Sequence, residues 1–495
     1  MSELDRWIGA CLLPELRVPG TRPGHPGSAP GTAYLERFPP AGIVVFGRTP
    51  AGPGRPGPLI EVLRERCERA GGPTPFACCD LEQGAGHHFA DAARLPPAQA
   101  LGFAESGDAA DDAARIAGER TGRDARARGV ELVLAPVCDL DTHRANPIVS
   151  VRSFGADPQQ VAAKARAFLA GLHAGGAGGC AKHWPGHGDT STDSHLELPR
   201  VEHPLEQLVR RELVPFDALI RAGVEAVMVG HLDVPALGGE DGLPATLSPA
   251  ALRYLRDEQG FGGAVLSDAM DMGALRGVPR PHARALAAGC DGLLCPADPA
   301  AAAAELREAL DAGELDAERL AAAAAAMGSL RETLFARRPR PAAAAPTGAA
   351  IAAELAERCL WSPEPAAWSA AAAWRPREAF PGHGTEEALA AVGAWLAAAP
   401  PDDPAAGIAV VAGSETLAGR GEAGLSPQRR ARLRALLADL GAAGRPVGLV
   451  WLASPHHLPE DWRAGAGPPV VVGFAPTPPM VEAARAWLAR PAERR

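Results

Sequence analysis

Through roughly the first 300 residues, short apolar segments rich in β-branched residues alternate with longer stretches of helical periodicity. The apolar segments are GIVVFG (42–47), PFACCD (75–80), VELVLAPV (130–137), GCAKHW (179–184), VEAVMVGH (224–231), GAVLSD (263–268) and DGLLCP (291–296). Between them the helices carry readable ends. Asp157 and Pro158 form an N-cap and first-turn pair, Val161, Ala165, Phe168, Leu169 and Leu172 follow at helical spacing, and Gly175 and Gly176 close the run. Ser248 and Pro249 open another helix. Strand-helix units repeated without hairpin signals imply a parallel sheet, and seven or eight of them predict an α/β fold built as a (β/α)8, TIM-like barrel.

The pattern breaks at 337–350 into RRPRPAAAAPTGAA, a Pro/Ala stretch that reads as a linker. Further α/β elements follow: AGIAVVAG (406–413), PVGLVWLAS (446–454) and PVVVGFA (469–475), with helices expected near 383–398, 426–441 and 478–489. The expected organisation is a catalytic barrel over 1–337, a linker over 338–350 and a smaller three-layer α/β domain over 351–495. The last lacks a GxGxxG fingerprint or phosphate loop, which gives a nucleotide role little support.

Reactive side chains gather at one kind of place. Asp80, the segment from Lys182, His231 and Asp268 all come at or just after the last residues of predicted strands, the face of a barrel where catalytic groups collect. The segment KHWPGHGDTSTDSHLELP (182–199) is the densest: three histidines, three acids and one of the chain's two lysines, Lys182 beside Lys164. Charge at a strand end pointing into a barrel mouth is costly unless something binds there.

Composition narrows the partners. Across 495 residues the formal net charge is −10, and no lysine or arginine run forms a stripe, so neither nucleic acid nor an anionic membrane is expected. A small or polymeric neutral substrate fits better. The N-terminal segment carries acids before its short apolar run, unlike a secretory leader, and no run of about eighteen apolar residues occurs. Nine cysteines sit mostly in apolar runs without CxxC spacing and read as reduced core residues, so the cytoplasm is expected.

Two chemistries are open to the 182–199 segment. Metal binding would use His183, His187 and His195 with Asp189 and Asp193. Pro185 and Gly186 keep His183 and His187 off one helix face, so no metal is expected. In the other reading Asp193 and His195 form a dyad. A carboxylate two residues away orients the imidazole and favours its charged form, so the histidine can give a proton to a leaving group and later take one from water. Asp268, ending GAVLSD, is the candidate nucleophile.

GRTP after GIVVF, DLEQGAG, APVCDLDTHRANPIVSVRSFG, KHWPGHGDTSTDSHLELP, PATLSP and GFGGAVLSDAMDMGAL, in that order, resemble glycoside hydrolase family 3. The DSH tripeptide resembles the family's bacterial β-N-acetylglucosaminidases more than its β-glucosidases. The resemblance covers residues 5 to 335 and implies a cofactor-free, exo-acting, retaining enzyme that releases terminal β-linked GlcNAc from cell-wall fragments or chitooligosaccharides, as in peptidoglycan recycling. It implies Asp268 as the nucleophile and His195 as the acid/base partnered by Asp193. Asp80, Arg152, Lys182 and His183 would bind the sugar. Bland roles compete: Asp80 as a helix cap, Arg152 pairing with Asp157, and Asp141, His143 and Arg144 in a solvated loop. His231 either lines the pocket or satisfies a neighbouring strand, and PGHGDTST reads as the flexible section of its loop. Two departures stand out. GAGHHF, with His87 and His88, replaces a span in which many members carry an arginine, and Ala269 follows Asp268 where a second acid is common. Rival readings are a β-glucosidase, a phosphorylase using the same dyad, and a non-catalytic sugar-binding protein.

Overall fold

The computed structural model describes residues 2–17, 30–49, 52–53, 56–89, 91–104, 112–143, 146, 148–190, 194, 196–238, 240–339, 346–360, 374–378, 392, 394–395, 407–413, 427–442, 446–454, 458, 462, 468–473 and 477–489. All seven predicted strands of the first 300 residues are present: β3 (Gly42–Phe46), β4 (Phe76–Cys79), β5 (Leu132–Val133), β6 (Gly178–Trp184), β7 (Ala226–Val229), β8 (Ala264–Ser267) and β9 (Leu293–Leu294). Two short strands, β1 (Leu12–Leu13) and β2 (Glu15–Arg17), were not anticipated. Pro14 explains this: it has no N–H and splits the apolar run into pieces too short to read. Its carbonyl still accepts from the Val44 N–H at 3.0 Å.

A seven-stranded parallel sheet runs in the order β8-β7-β6-β5-β4-β3-β2. Its ends meet through β9. Leu266 bridges Gly292 on one side, and Leu12 and Leu13 pair with Leu293 and Leu294 on the other. With β1 and β2 counted as one interrupted strand, eight parallel strands close on themselves, the (β/α)8 arrangement.

Side chains alternate across each strand and sort into two cores. Phe76, Cys78, Leu132, Cys180, Met228, Ala264, Leu266 and Leu294 fill the lumen. Ala77, Cys79, Val133, Ala181, Val227, Val265 and Leu293 pack outward among the helices. Met327, Leu330 and Leu334 of the helix Ala317–Ala336 join the lumenal cluster at the strands' N-terminal end, where Leu334 lies against Gly178, the first residue of β6. The same alternation carried two residues past Cys78, Cys180 and Leu266 brings Asp80, Lys182 and Asp268 to the opposite rim. The nine cysteines are unpaired and buried.

Around the barrel the helix Pro158–Gly175 is capped by Asp157, whose side chain accepts from the Gln160 N–H at 2.8 Å, and ends at Gly176 with φ +87°. Beyond it, a second parallel sheet has the order β10 (Trp374–Glu378), β11 (Gly407–Gly413), β12 (Val447–Leu452), β13 (Val470–Val472). Only β10 lacks a sequence signal. It is an edge strand, where proline and charge are tolerated. Helices Pro427–Ala442 and Pro478–Leu488 match expectation, while the span 383–398 lies largely outside the described residues. A helix Gly348–Arg358, capped by Thr347, begins inside the stretch read as linker and packs against both Ala113–Arg126 and Pro478–Leu488. Among the described residues, no helix is long and apolar enough to cross a membrane.

Candidate active site

At the C-terminal rim of the barrel, alternating charges form a chain. The Lys182 ammonium lies 2.5 Å from Asp80 Oδ1 and 2.6 Å from Glu82 Oε1. Glu82 is also gripped by Arg152, at 2.9 Å from Nε and 2.8 Å from Nη2. Arg152 therefore pairs with Glu82 and not with Asp157, which is the helix cap, and Asp80 serves a lysine instead of capping a helix. Burial opposes ionisation of Glu82, but Arg152 and Lys182 outweigh it and hold the carboxyl well below the usual range. Burial likewise opposes the Lys182 charge, and Asp80 and Glu82 overcome it to hold the ammonium above its ordinary value. Lys182 is thus satisfied by internal carboxylates. The Asp80 and Arg152 side chains, 28% and 25% exposed, open toward solvent, while those of Lys182 and Glu82 do so at only 2% and 9%.

His183 extends the chain inward. Its Nε2 is 3.4 Å from Arg152 Nη2, and its Nδ1 is 2.7 Å from Asp139 Oδ2. Asp139 also accepts from the backbone N–H groups of His183 and His187, so one buried carboxylate fixes the turn after β6. Burial pushes its carboxyl up, but His183 and His187 more than offset this and leave it below the usual range. Sequence reasoning missed Glu82 and Asp139, although both stand in motifs it quoted, DLEQGAG and APVCDLD.

The first part of the expected flexible section is packed. His187, Gly188 and Thr190 are buried. Gly188 is obligatory by contact: a Cβ there would fall 1.8 Å from the Leu140 carbonyl oxygen. Asn146 donates to the carbonyls of His187 and Gly188 at 2.8 and 3.0 Å. Asp141, expected in a solvated loop, is buried and accepts from Gln99 Nε2 at 2.5 Å. Residues 191–193 and 195 lie outside the described residues, and with them Asp193 and His195, as does Arg144.

Asp268 follows β8. Its N–H donates to the Val229 carbonyl at 2.9 Å, and its Oδ1 accepts from the Ala269 N–H at 2.8 Å. The residue beyond the carboxylate thus contributes a donor where an acid would add repulsion. His231, fully buried, donates from Nε2 to the Ala269 carbonyl at 3.0 Å, and its Nδ1 lies 2.7 Å from the Thr246 hydroxyl. It ties β7 to the segment carrying Asp268, the strand-satisfying alternative of its two readings.

In GAGHHF the His87 and His88 rings stack at 4.8 Å, and the His88 ring meets Phe46 edge-on at 5.7 Å. Burial pushes His88 down to about 4 and, helped by neighbouring His88, His87 well below its ordinary value. GAGHHF therefore contributes two neutral imidazoles. His187 is pushed down to about 4, again mainly by burial. These groups are neutral when folded, whereas the unfolded chain protonates near 6.5. Their contribution is complete above about pH 6.5 and is lost as pH falls toward 4, by about 3 kcal/mol for each of His88 and His187. Melting temperature should drop steeply between pH 6.5 and 4.5, and His88→Asn should flatten that slope; an unchanged slope would show that His88 does not titrate with unfolding.

Residues 36–330 match the glycosyl hydrolase family 3 N-terminal domain. A beta-hexosaminidase of Methylococcus capsulatus is 36% identical over 275 residues, which cover 54% of this chain and 79% of that one. A beta-hexosaminidase of Xylella fastidiosa is 38% identical over the same shares. Among solved structures, a glycoside hydrolase family 3 beta-N-acetylglucosaminidase from a Paenibacillus species aligns over 99% of this chain and 97% of its own, with TM-score 0.77 and 22% identity. A beta-glucoside phosphorylase aligns over 99% and 92% with TM-score 0.77 and 19% identity. With three-fifths of its length inside the family domain, the chain belongs to glycosyl hydrolase family 3 and is a glycoside hydrolase.

Proposed function

We propose that this protein is an exo-acting, retaining β-N-acetylhexosaminidase that removes terminal β-linked GlcNAc from cell-wall fragments or chitooligosaccharides. The observation that carries the reading is the charge chain Asp80, Lys182, Glu82, Arg152 at the same rim as Asp268. Asp80 offers an acceptor and Arg152 a donor to sugar hydroxyls, while buried Lys182 and Glu82 hold both in place. The relatives named beta-hexosaminidase narrow the sugar to a hexosaminide.

In the reaction, the Asp268 carboxylate attacks the anomeric carbon. The glycosidic C–O bond breaks as the imidazolium of His195, partnered by Asp193, gives its proton to the departing oxygen. Water then adds to the anomeric carbon, its proton passing to His195, and the Asp268 carboxylate leaves. Nine unpaired, buried cysteines support work in a reducing compartment, and we place the enzyme in the cytoplasm. The domain division at residues 338–350 belongs to the same proposal.

The test is a panel of aryl β-glycosides differing only at C2, assayed with and without phosphate. Turnover of the 2-acetamido sugar with free GlcNAc as product is expected. Preference for the 2-hydroxy sugar would overturn the substrate assignment, and sugar 1-phosphate as the main product would make the enzyme a phosphorylase.

A further inference from the structure

Ser194 stands between the proposed acid/base residues Asp193 and His195, and the structure fixes it twice. Its carbonyl accepts from the Ala274 N–H at 3.1 Å, in the segment that follows Asp268. Its hydroxyl lies 3.0 Å from His187 Nε2, and Ser194 is only 2% exposed. The direction of the second bond follows from the neighbours. Thr190 has one hydroxyl proton and donates it to the His187 carbonyl at 3.0 Å. Thr190 Oγ1, 2.7 Å from His187 Nδ1, is therefore the acceptor there, and the ring proton sits on Nδ1. Nε2 is left with a lone pair, so Ser194 must donate to it. Asn146 and Asp139 hold the backbone on which the ring stands.

We propose that His187 and Ser194 form a latch that fixes Ser194 and so serves to position the residue next in sequence, the proposed proton-transfer histidine His195. The inference rests on the functional reading above. Ser194 is a positioning residue: it moves no proton itself, and through its backbone it sets where the following residue begins. The loop after β6 and the segment after β8 are thereby joined at one residue, Ser194.

Four variants test this. Ser194→Ala removes the donor. His187→Asn keeps a side-chain N–H for Thr190 but is too short to reach Ser194. The double variant closes the cycle, and Ser194→Thr restores a hydroxyl. kcat/KM is measured on aryl β-N-acetylglucosaminides spanning a wide range of leaving-group acidity. A displaced acid matters most where the leaving group needs its proton. Loss on 4-methoxyphenyl should reach roughly 10- to 100-fold and loss on 2,4-dinitrophenyl should stay within about threefold, because general acid assistance is worth up to about 10⁴-fold only where protonation is required. Both single variants and the double variant should lose the same factor, since they cut the same bond, and Ser194→Thr should recover most of it. Equal loss across the series would show a merely structural role and overturn the latch, as would additive losses in the double variant. A wild-type enzyme that cleaves none of the series overturns the functional reading and the latch with it, whereas wild-type cleavage with unaltered Ser194→Ala rates overturns the latch alone.

Discussion

Replacing Asp268 by Asn is expected to lower kcat/KM on an aryl β-N-acetylglucosaminide by on the order of 10⁴-fold or more, as removal of a group that acts directly on the reacting atom does in other covalent mechanisms. The substitution is nearly isosteric. The amide oxygen can still accept from the Ala269 N–H, and the backbone bond to Val229 is untouched, so the melting temperature should move little. What disappears is the negative charge that, in the proposed mechanism, displaces the aglycone and forms the ester. Asp268→Ala opens space on that face of the sugar, and azide added to this variant should enter there, releasing the phenol and giving the α-glycosyl azide with a proton still supplied by the acid. Formation of the β-azide, or near-normal turnover by Asp268→Asn, would assign the displacement to another group, such as the acetamido oxygen of the substrate.

Much of this site was legible in the sequence for one reason: the two-residue period of a strand. Cys78, Cys180 and Leu266 are lumenal, so Asp80, Lys182 and Asp268 had to reach the same rim once a parallel barrel was inferred. Position along the chain therefore placed these side chains on one rim before any distance was known. Pairing did not follow from it. Glu82, three residues past the end of β4, binds Arg152 across 70 positions, and Asp139 binds His183 across 44. Such choices depend on where loops return in space, which no local pattern encodes. The same holds for the turn after β6. Its glycines and proline suggested flexibility, but Gly188 is there because Leu140 passes too close for a side chain, and Asn146 rivets the turn in place. Strands β1 and β10 were hidden for a local reason, since Pro14 and the charged residues with proline in WRPRE remove the apolar alternation by which strands are recognised.

Lys182→Met is expected to damage the fold as well as the reaction. The methionine fills similar volume, but Asp80 and Glu82 are left to share Arg152 as their nearby cation, and Glu82 is nearly sealed from water. Breaking a buried ion pair on one side costs about 3–5 kcal/mol, because the stranded charge keeps its desolvation penalty. At about 2–4 °C for each kcal/mol, the melting temperature at neutral pH should fall by roughly 10 °C. The pH dependence identifies the cause. In the wild type the Glu82 carboxyl is held well below its ordinary range, so its contribution is present above pH of about 4.5 and is lost as pH falls below that. The variant lacks much of this contribution and can relieve its repulsion by taking up a proton, so the gap between the two proteins should narrow on acidification. Adding Glu82→Gln to Lys182→Met should recover part of the stability at neutral pH without restoring turnover, since Arg152, the proposed sugar donor, then loses the carboxylate that holds it. A stability gap independent of pH would mean that packing, not stranded charge, is what Lys182 contributes.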